Sequence, residues 1–157
     1  MATTATSTTS LARRFKVDVS ADGGTTWVPI LGINSFTPQV TPTVQDSSDY
    51  DTNGWGSKEV TMLNWTLDIK ANRKVTATAF DPGQELCRTH ADQFGSAARL
   101  QVRWYDRNGG TEAYSGTALL EYLQSKTAVT DIEEIEVKFT GDGARTAITN
   151  PITPAGN

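Results

Sequence analysis

The chain has 157 residues, 37% of them apolar and 20% charged, and 14 basic against 18 acidic side chains leave a formal charge of −4. That length makes one domain, able to bury about 70% of its unfolded surface. The mild acidity makes the chain a poor candidate for gripping DNA or an anionic membrane, which needs clustered Lys and Arg; the single cysteine excludes an intrachain disulfide framework and a multi-cysteine zinc site; and no apolar run reaches the roughly 18 residues of a membrane-spanning helix.

Residues 1–11 are rich in Ser and Thr, carry no acid, lack the apolar stretch of a secretory signal, and read as a flexible arm. Phe15, Val17 and Val19 then alternate with Lys16, Asp18 and Ser20, the period of a strand. A turn at 21–24 leads into a second strand over 26–31, giving a hairpin. Ser20, Asp22, Gly24, Thr26 and Trp27 match the Asp-box pattern S-x-D-x-G-x-T-W. A single copy cannot build the propeller in which such hairpins repeat, so we read it as a turn device. Residues 38–58 hold Asp46, Asp49, Asp51, Asn53, Gly54 and Gly56, which predict a polar loop of roughly 20 residues. Tyr50 and Trp55 within it argue against plain disorder, because aromatics seek burial.

A long strand follows over 59–70. Its apolar phase slips from even (Val60, Met62) to odd (Leu63, Trp65, Leu67, Ile69), which predicts a bulge near Leu63 and Asn64. Asp81, Pro82 and Gln84 are the N-cap, first-turn and capping-box residues of a helix over 82–94. That helix presents Leu86, Cys87, Ala91 and Phe94 on one face, with Gly95 as its stop. Leu100, Val102 and Trp104 begin another hairpin, turned at Asn108 and Gly109 and returning over 111–123. Ile135, Val137 and Phe139 alternate with Glu134, Glu136 and Lys138 in a last strand. Gly141, Gly143, Pro151 and Pro154 predict a flexible tail over 144–157. The fold class is mainly β: a sandwich or barrel over 12–143 with one flanking helix.

Catalytic constellations are sparse. Cys87 and His90 share a helical face, but no further Cys or His completes a zinc site, and the cysteine lies on the apolar stripe. Asp46, Asp49 and Asp51 lack the Gly and Glu positions of an EF-hand. Glu133, Glu134 and Glu136 could supply a carboxylate pair, and a small hydrolase would use Glu134 with Asp131 or Glu121. Glu134 and Glu136 also look like the solvent face of an ordinary strand. No phosphate-binding glycine loop is present. We expect no enzyme activity, no cofactor and no metal.

Several weak motifs occur in a particular order. They are Asp22 to Val28 with Leu31 to Ser35, the acidic loop 46–57, the strand Val60 to Ile69 followed by one helix, Tyr114 to Ala118 after the Asn108–Gly109 turn, and Ile135 to Gly143 ending in Gly-x-Gly. In this order they resemble the tail tube (major tail) proteins of long-tailed, non-contractile bacteriophages, over residues 13–143. The resemblance implies a sandwich or barrel whose copies form hexameric rings. The rings stack into the tube through which DNA leaves the capsid without being bound. It implies a virion protein assembled in the host cytoplasm, with itself, tape-measure and tail-tip or terminator proteins as partners and no membrane. It makes Glu134, Glu136 and Lys138 candidates for lining the lumen, and Asp46, Asp49, Tyr50, Asp51 and Trp55 candidates for a loop reaching the next ring. The alternative is a carbohydrate- or cell-surface-binding sandwich using Trp27, Trp55, Trp65 and Trp104. Trp65 and Trp104 fall in the apolar phase of their strands, which leaves few for a platform.

Overall fold

The computed structural model describes residues 6–152; the first five residues of the expected arm and the last five of the expected tail lie outside them. The strands are β1 (Phe15–Ser20), β2 (Val28–Pro29), β3 (Ile33–Asp46), β4 (Lys58–Asn72), β5 (Val75–Thr76), β6 (Ala79–Phe80), β7 (Leu100–Asp106), β8 (Ala113–Lys126), β9 (Glu134–Gly141) and β10 (Thr146–Ala147). The α-helix α1 (Pro82–His90) stands between β6 and β7. β5 and β6 pair only with each other. The other strands form one antiparallel sheet in the order β2-β1-β7-β8-β9-β4-β3, with β10 added to β8. The fold is mainly β with one α-helix among the described residues, as the alternating patterns predict.

This sheet is rolled. Phe15 on β1 and Phe36 on β3 are five strand spacings apart, roughly 24 Å if the sheet were flat, yet their rings stack at 4.7 Å. Trp65 on β4 and Trp104 on β7 are three spacings apart, with centroids at 5.6 Å. The strand that turns the corner is β8. It pairs with β7 up to Ala118 and with β9 from Ala118 onward. Val17, Val19, Leu100, Val102 and Trp104 line one half of the core, and Trp65, Leu67, Ile69, Ile135, Val137 and Phe139 the other.

The corner is possible because two residues there have no side chain. A Cβ at Gly116 or Gly141 would run into the Trp65 indole. The indole Nε1 donates to the Gly143 carbonyl at 2.9 Å, and Gly143 holds the left-handed φ of 87° that a side chain would resist. Tyr114 packs on Trp104 at 5.8 Å, and the Arg145 guanidinium lies 4.3 Å above the tyrosine ring.

The expected loop over 38–58 is a correction. β3 continues to Asp46, antiparallel to β4, and only 47–57 remain as a tip. The acids and turn formers that suggested a loop lie at or beyond Asp46, and the strand before them holds Pro38 and Pro42. A proline survives in a ladder where its missing N–H faces an open edge, and β3 is the last strand of the sheet. The phase slip in β4 is a real irregularity: Thr43 faces Met62, but Val44 faces Val60, leaving Thr61 extra. It lies two or three residues before the expected place. Its effect is to bring Val60 onto the face that already carries Val40, Pro42, Val44 and Leu63.

Two ends differ from expectation. The helix stops at His90, and Phe94 is exposed outside it. Asp81 caps the helix by accepting from the Gln84 N–H at 3.0 Å. Gln84 does not complete a capping box: its buried amide donates to the Leu31 and Asn72 carbonyls and accepts from the Lys74 N–H. The helix start is thereby bolted to the β2–β3 and β4–β5 connections. In the segment expected to be a flexible tail, Thr146 and Ala147 pair with β8. Asn150 donates to the carbonyls of Asp106 and Gly110, both at 2.7 Å. A side-chain amide bridging a turn ties down the chain whatever its proline content.

Replacing Gly141 by Ala should cost about 1–3 kcal/mol, the usual range for overpacking. A urea midpoint equal to that of the wild-type chain would show that the Trp65 seat has slack.

Candidate functional site

The outward face of the β8-β9-β4-β3 half carries the polar residues left over when the other face enters the core. Register fixes its rows. Glu121, Lys138 and Asp68 lie side by side on β8, β9 and β4, and so do Leu123, Glu136 and Lys70. Leu119, Thr140 and Thr66 form a third row. Lys70 and Glu136 are bonded at 2.6 Å, and the Glu136 hydrogen bond raises the Lys70 pKa. Each lysine thus has an acid as its lateral neighbour, and three acids face two bases. The sequence identifies Glu136 and Lys138 on this face. It misses Asp68, Lys70 and Glu121, because strand neighbours far apart in sequence leave no local signal.

Glu134 shares their strand but not their surroundings. It is 7% exposed. Asn34 donates to it at 2.9 Å, Ser125 at 3.2 Å, and Lys126 lies at 3.5 Å. The Asn34 bond, before all else, lowers its pKa. This is a carboxylate kept charged by a closed network at the sheet's end, an environment opposite to that of a general acid. Asp131 accepts from the Ala128 N–H within a turn.

The second surface is the projecting end of the β3–β4 hairpin. Residues 38–46 and 58–64 are exposed along both strands. Val40, Pro42, Val44, Val60 and Leu63 continue the apolar face of Trp65 and Leu67 beyond the point where anything covers it. A two-stranded ribbon open on both faces is marginal in water. At the tip, Tyr50 is fully exposed and Trp55 is 81% exposed. Asp46 accepts from the Ser48 N–H at 2.8 Å, and Asp49 from Asp51 and Thr52 at 2.9 and 3.2 Å. These bonds shape the tip and engage one oxygen of each carboxylate.

The remaining motifs are structural. Asp22 accepts from the Thr26 N–H at 2.8 Å, from Ser20 at 2.7 Å and from the Thr25 N–H at 3.1 Å. The Thr26 bond leads in drawing its pKa down to about 2. Trp27 covers the Arg103 guanidinium at 4.4 Å. The Cys87 thiol is buried, and burial pushes its pKa up to about 12, far from a nucleophile's range. With Trp65 and Trp104 in the core, no row of exposed tryptophans exists among the described residues.

No family model matches this chain, and no curated protein sequence matches it significantly. Solved structures do. The tail of an empty gene transfer agent particle, refined with C6 symmetry, superposes with a TM-score of 0.71 over 89% of this chain and 99% of that one, at 10% identity. The SPP1 tail tube gives a TM-score of 0.66 over 89% and 80%, at 14% identity. The chain has the tail tube fold. A chain from the virion of a native gene transfer agent adds a TM-score of 0.62 over 88% and 98%, at 11% identity. At such identities the likeness is one of fold. It runs through nearly the whole length of both gene transfer agent chains.

Proposed function

We propose that this protein is the structural subunit of a phage-type tail tube, self-assembling into stacked rings and doing no catalysis. The observation that carries the reading is the fold likeness to two tail structures, over 89% of this chain in each. The geometry supports it. The β8-β9-β4-β3 half has two free strand edges: β3, and β8 over 119–126, where β7 no longer reaches. Joining one edge to the other edge of a neighbouring copy is a head-to-tail contact, which closes into a ring. Six copies, the symmetry of the gene transfer agent tail, bring twenty-four strands. At about 4.8 Å each they make a barrel about 37 Å across, wider with strand tilt. The core face already packs inward within each subunit, so the polar face is the one left for the bore.

That face suits passage. Lysines already beside acids release few counterions to a phosphate backbone, and the excess of acid repels it. Glu136 and Lys138 remain lumen candidates, joined by Asp68, Lys70 and Glu121; Glu134 contributes its carboxylate to the sheet end. The projecting hairpin, with Asp46, Asp49, Tyr50, Asp51 and Trp55 at its tip, is the reach toward the next ring. Its bare apolar face is covered there by another copy. Tape-measure and tail-tip or terminator proteins are the further partners this role requires. The location is the tail of a virion, with assembly in the host cytoplasm.

Negative-stain electron microscopy of the purified chain over a concentration series should show rings or hollow tubes. A strict monomer throughout would count against the proposal. Replacing residues 45–57 by a two-residue turn should leave the circular dichroism spectrum intact and abolish tubes; an unfolded product would place the tip in the folding core instead. Glu121→Lys with Glu136→Lys changes each copy by about four charge units and should slow DNA release from assembled particles. Unchanged release would remove this face from the lumen.

A further inference from the structure

The rolled sheet leaves a seam. Between the Phe15–Lys16 end of β1, which β2 does not reach, and the start of β3 lies a groove of about 730 Å³. Its floor is the Phe15–Phe36 stack with Ile30 and Ile33, and half-exposed Leu31 stands at its side. Three cations line it, Arg13, Lys16 and Arg107, and no acid does. Arg14 nearby is held by Asp106 and Glu112, each at 2.8 Å. The three lining cations make no ion pair among the described residues. The Arg107 side chain gives one hydrogen bond, to the Phe15 carbonyl at 3.0 Å.

The same molecule carries the complement. The hairpin tip over 46–57 has three acids and no base. Its aromatics Tyr50 and Trp55 point into solvent. An aromatic anchor with an acidic rim is what a basic groove with an apolar floor accepts. Tip and groove cannot meet within one chain. The groove sits at the Ile33 end of β3 and the tip beyond its Asp46 end, 14 residues along one extended strand, about 43 Å. A donor and an acceptor at opposite ends of a rigid body produce an open, repeating head-to-tail series, not a closed pair.

We infer that the tip of one copy docks in the β1–β3 seam groove of a second copy in the adjoining ring, Tyr50 and Trp55 against the Phe15–Phe36 floor and Asp49 and Asp51 against Arg13, Lys16 and Arg107. This rests on the tube reading above and names the contact that stacks the rings. The N-terminal segment that leads into Ala12 on the groove wall carries no acid, so it does not match the groove's charge.

The test is a charge exchange, read by pelleting and electron microscopy. Arg13→Glu with Arg107→Glu, and separately Asp49→Lys with Asp51→Lys, should each cut the yield of tubes at least about tenfold while rings persist, since like charges then face each other. The chain carrying all four substitutions should recover tubes, because the pair is again complementary. Circular dichroism confirms that each variant is folded. Wild-type tubes together with undiminished tubes from either pair would overturn the groove contact and leave the tube reading standing. Failure of the folded four-substitution chain to recover would do the same. Tubes retained by the groove variant but lost on removing residues 2–10 would assign the groove to the chain's own N-terminal segment. A wild-type chain that never associates would overturn both readings at once.

Discussion

The Trp65 indole occupies the space that side chains at positions 116 and 141 would need, and the architecture outward of it follows from that contact. With the two glycines beneath it, β8 can pass from partnership with β7 to partnership with β9 at Ala118. The sheet then closes over Trp104 and Phe139 as a single core. A bulkier residue at the corner would hold the two halves apart and open the core to water. The roll also decides which surfaces remain: one polar sheet face, one seam, and one hairpin too long for the core to cover.

Much of this is written locally. The alternation at Phe15, Val17 and Val19 and at Ile135, Val137 and Phe139 states both strand and facing. The apolar phase of Trp65 and Trp104 states burial. Asp81 and Pro82 state where the helix starts. The misses have physical causes. Pro38 and Pro42 oppose a strand in general but are permitted at an edge, and edge status depends on the whole sheet order. Glu134 and Glu136 are alike by parity. Only the arrival of Asn34 and Ser125 from elsewhere in the chain buries the first and leaves the second open. The final turn of helix expected around Phe94 fails because nothing packs over that ring.

The candidate surfaces follow the same division. Glu136 and Lys138, and the acids and aromatics of the tip, stand out within short windows of sequence. Asp68, Lys70 and Glu121 join them only through register. The seam groove draws Arg13, Phe36 and Arg107 from three distant segments, and no local pattern announces it.

The two prolines of β3 have a consequence beyond permitting an edge strand. With Pro38 and Pro42 on the open side, that edge lacks two of the donors a neighbouring strand would use. A lone encounter between two edges is therefore weak and short-lived, while a closed ring forms every joint together and gains from effective concentration. In the proposed ring, such a joint would resist stray pairwise sticking yet yield a lasting cylinder once nucleated. In the proposed tube, polymerisation would then have a threshold and a lag, a kinetic property that two ring-shaped residues would impose on the whole assembly.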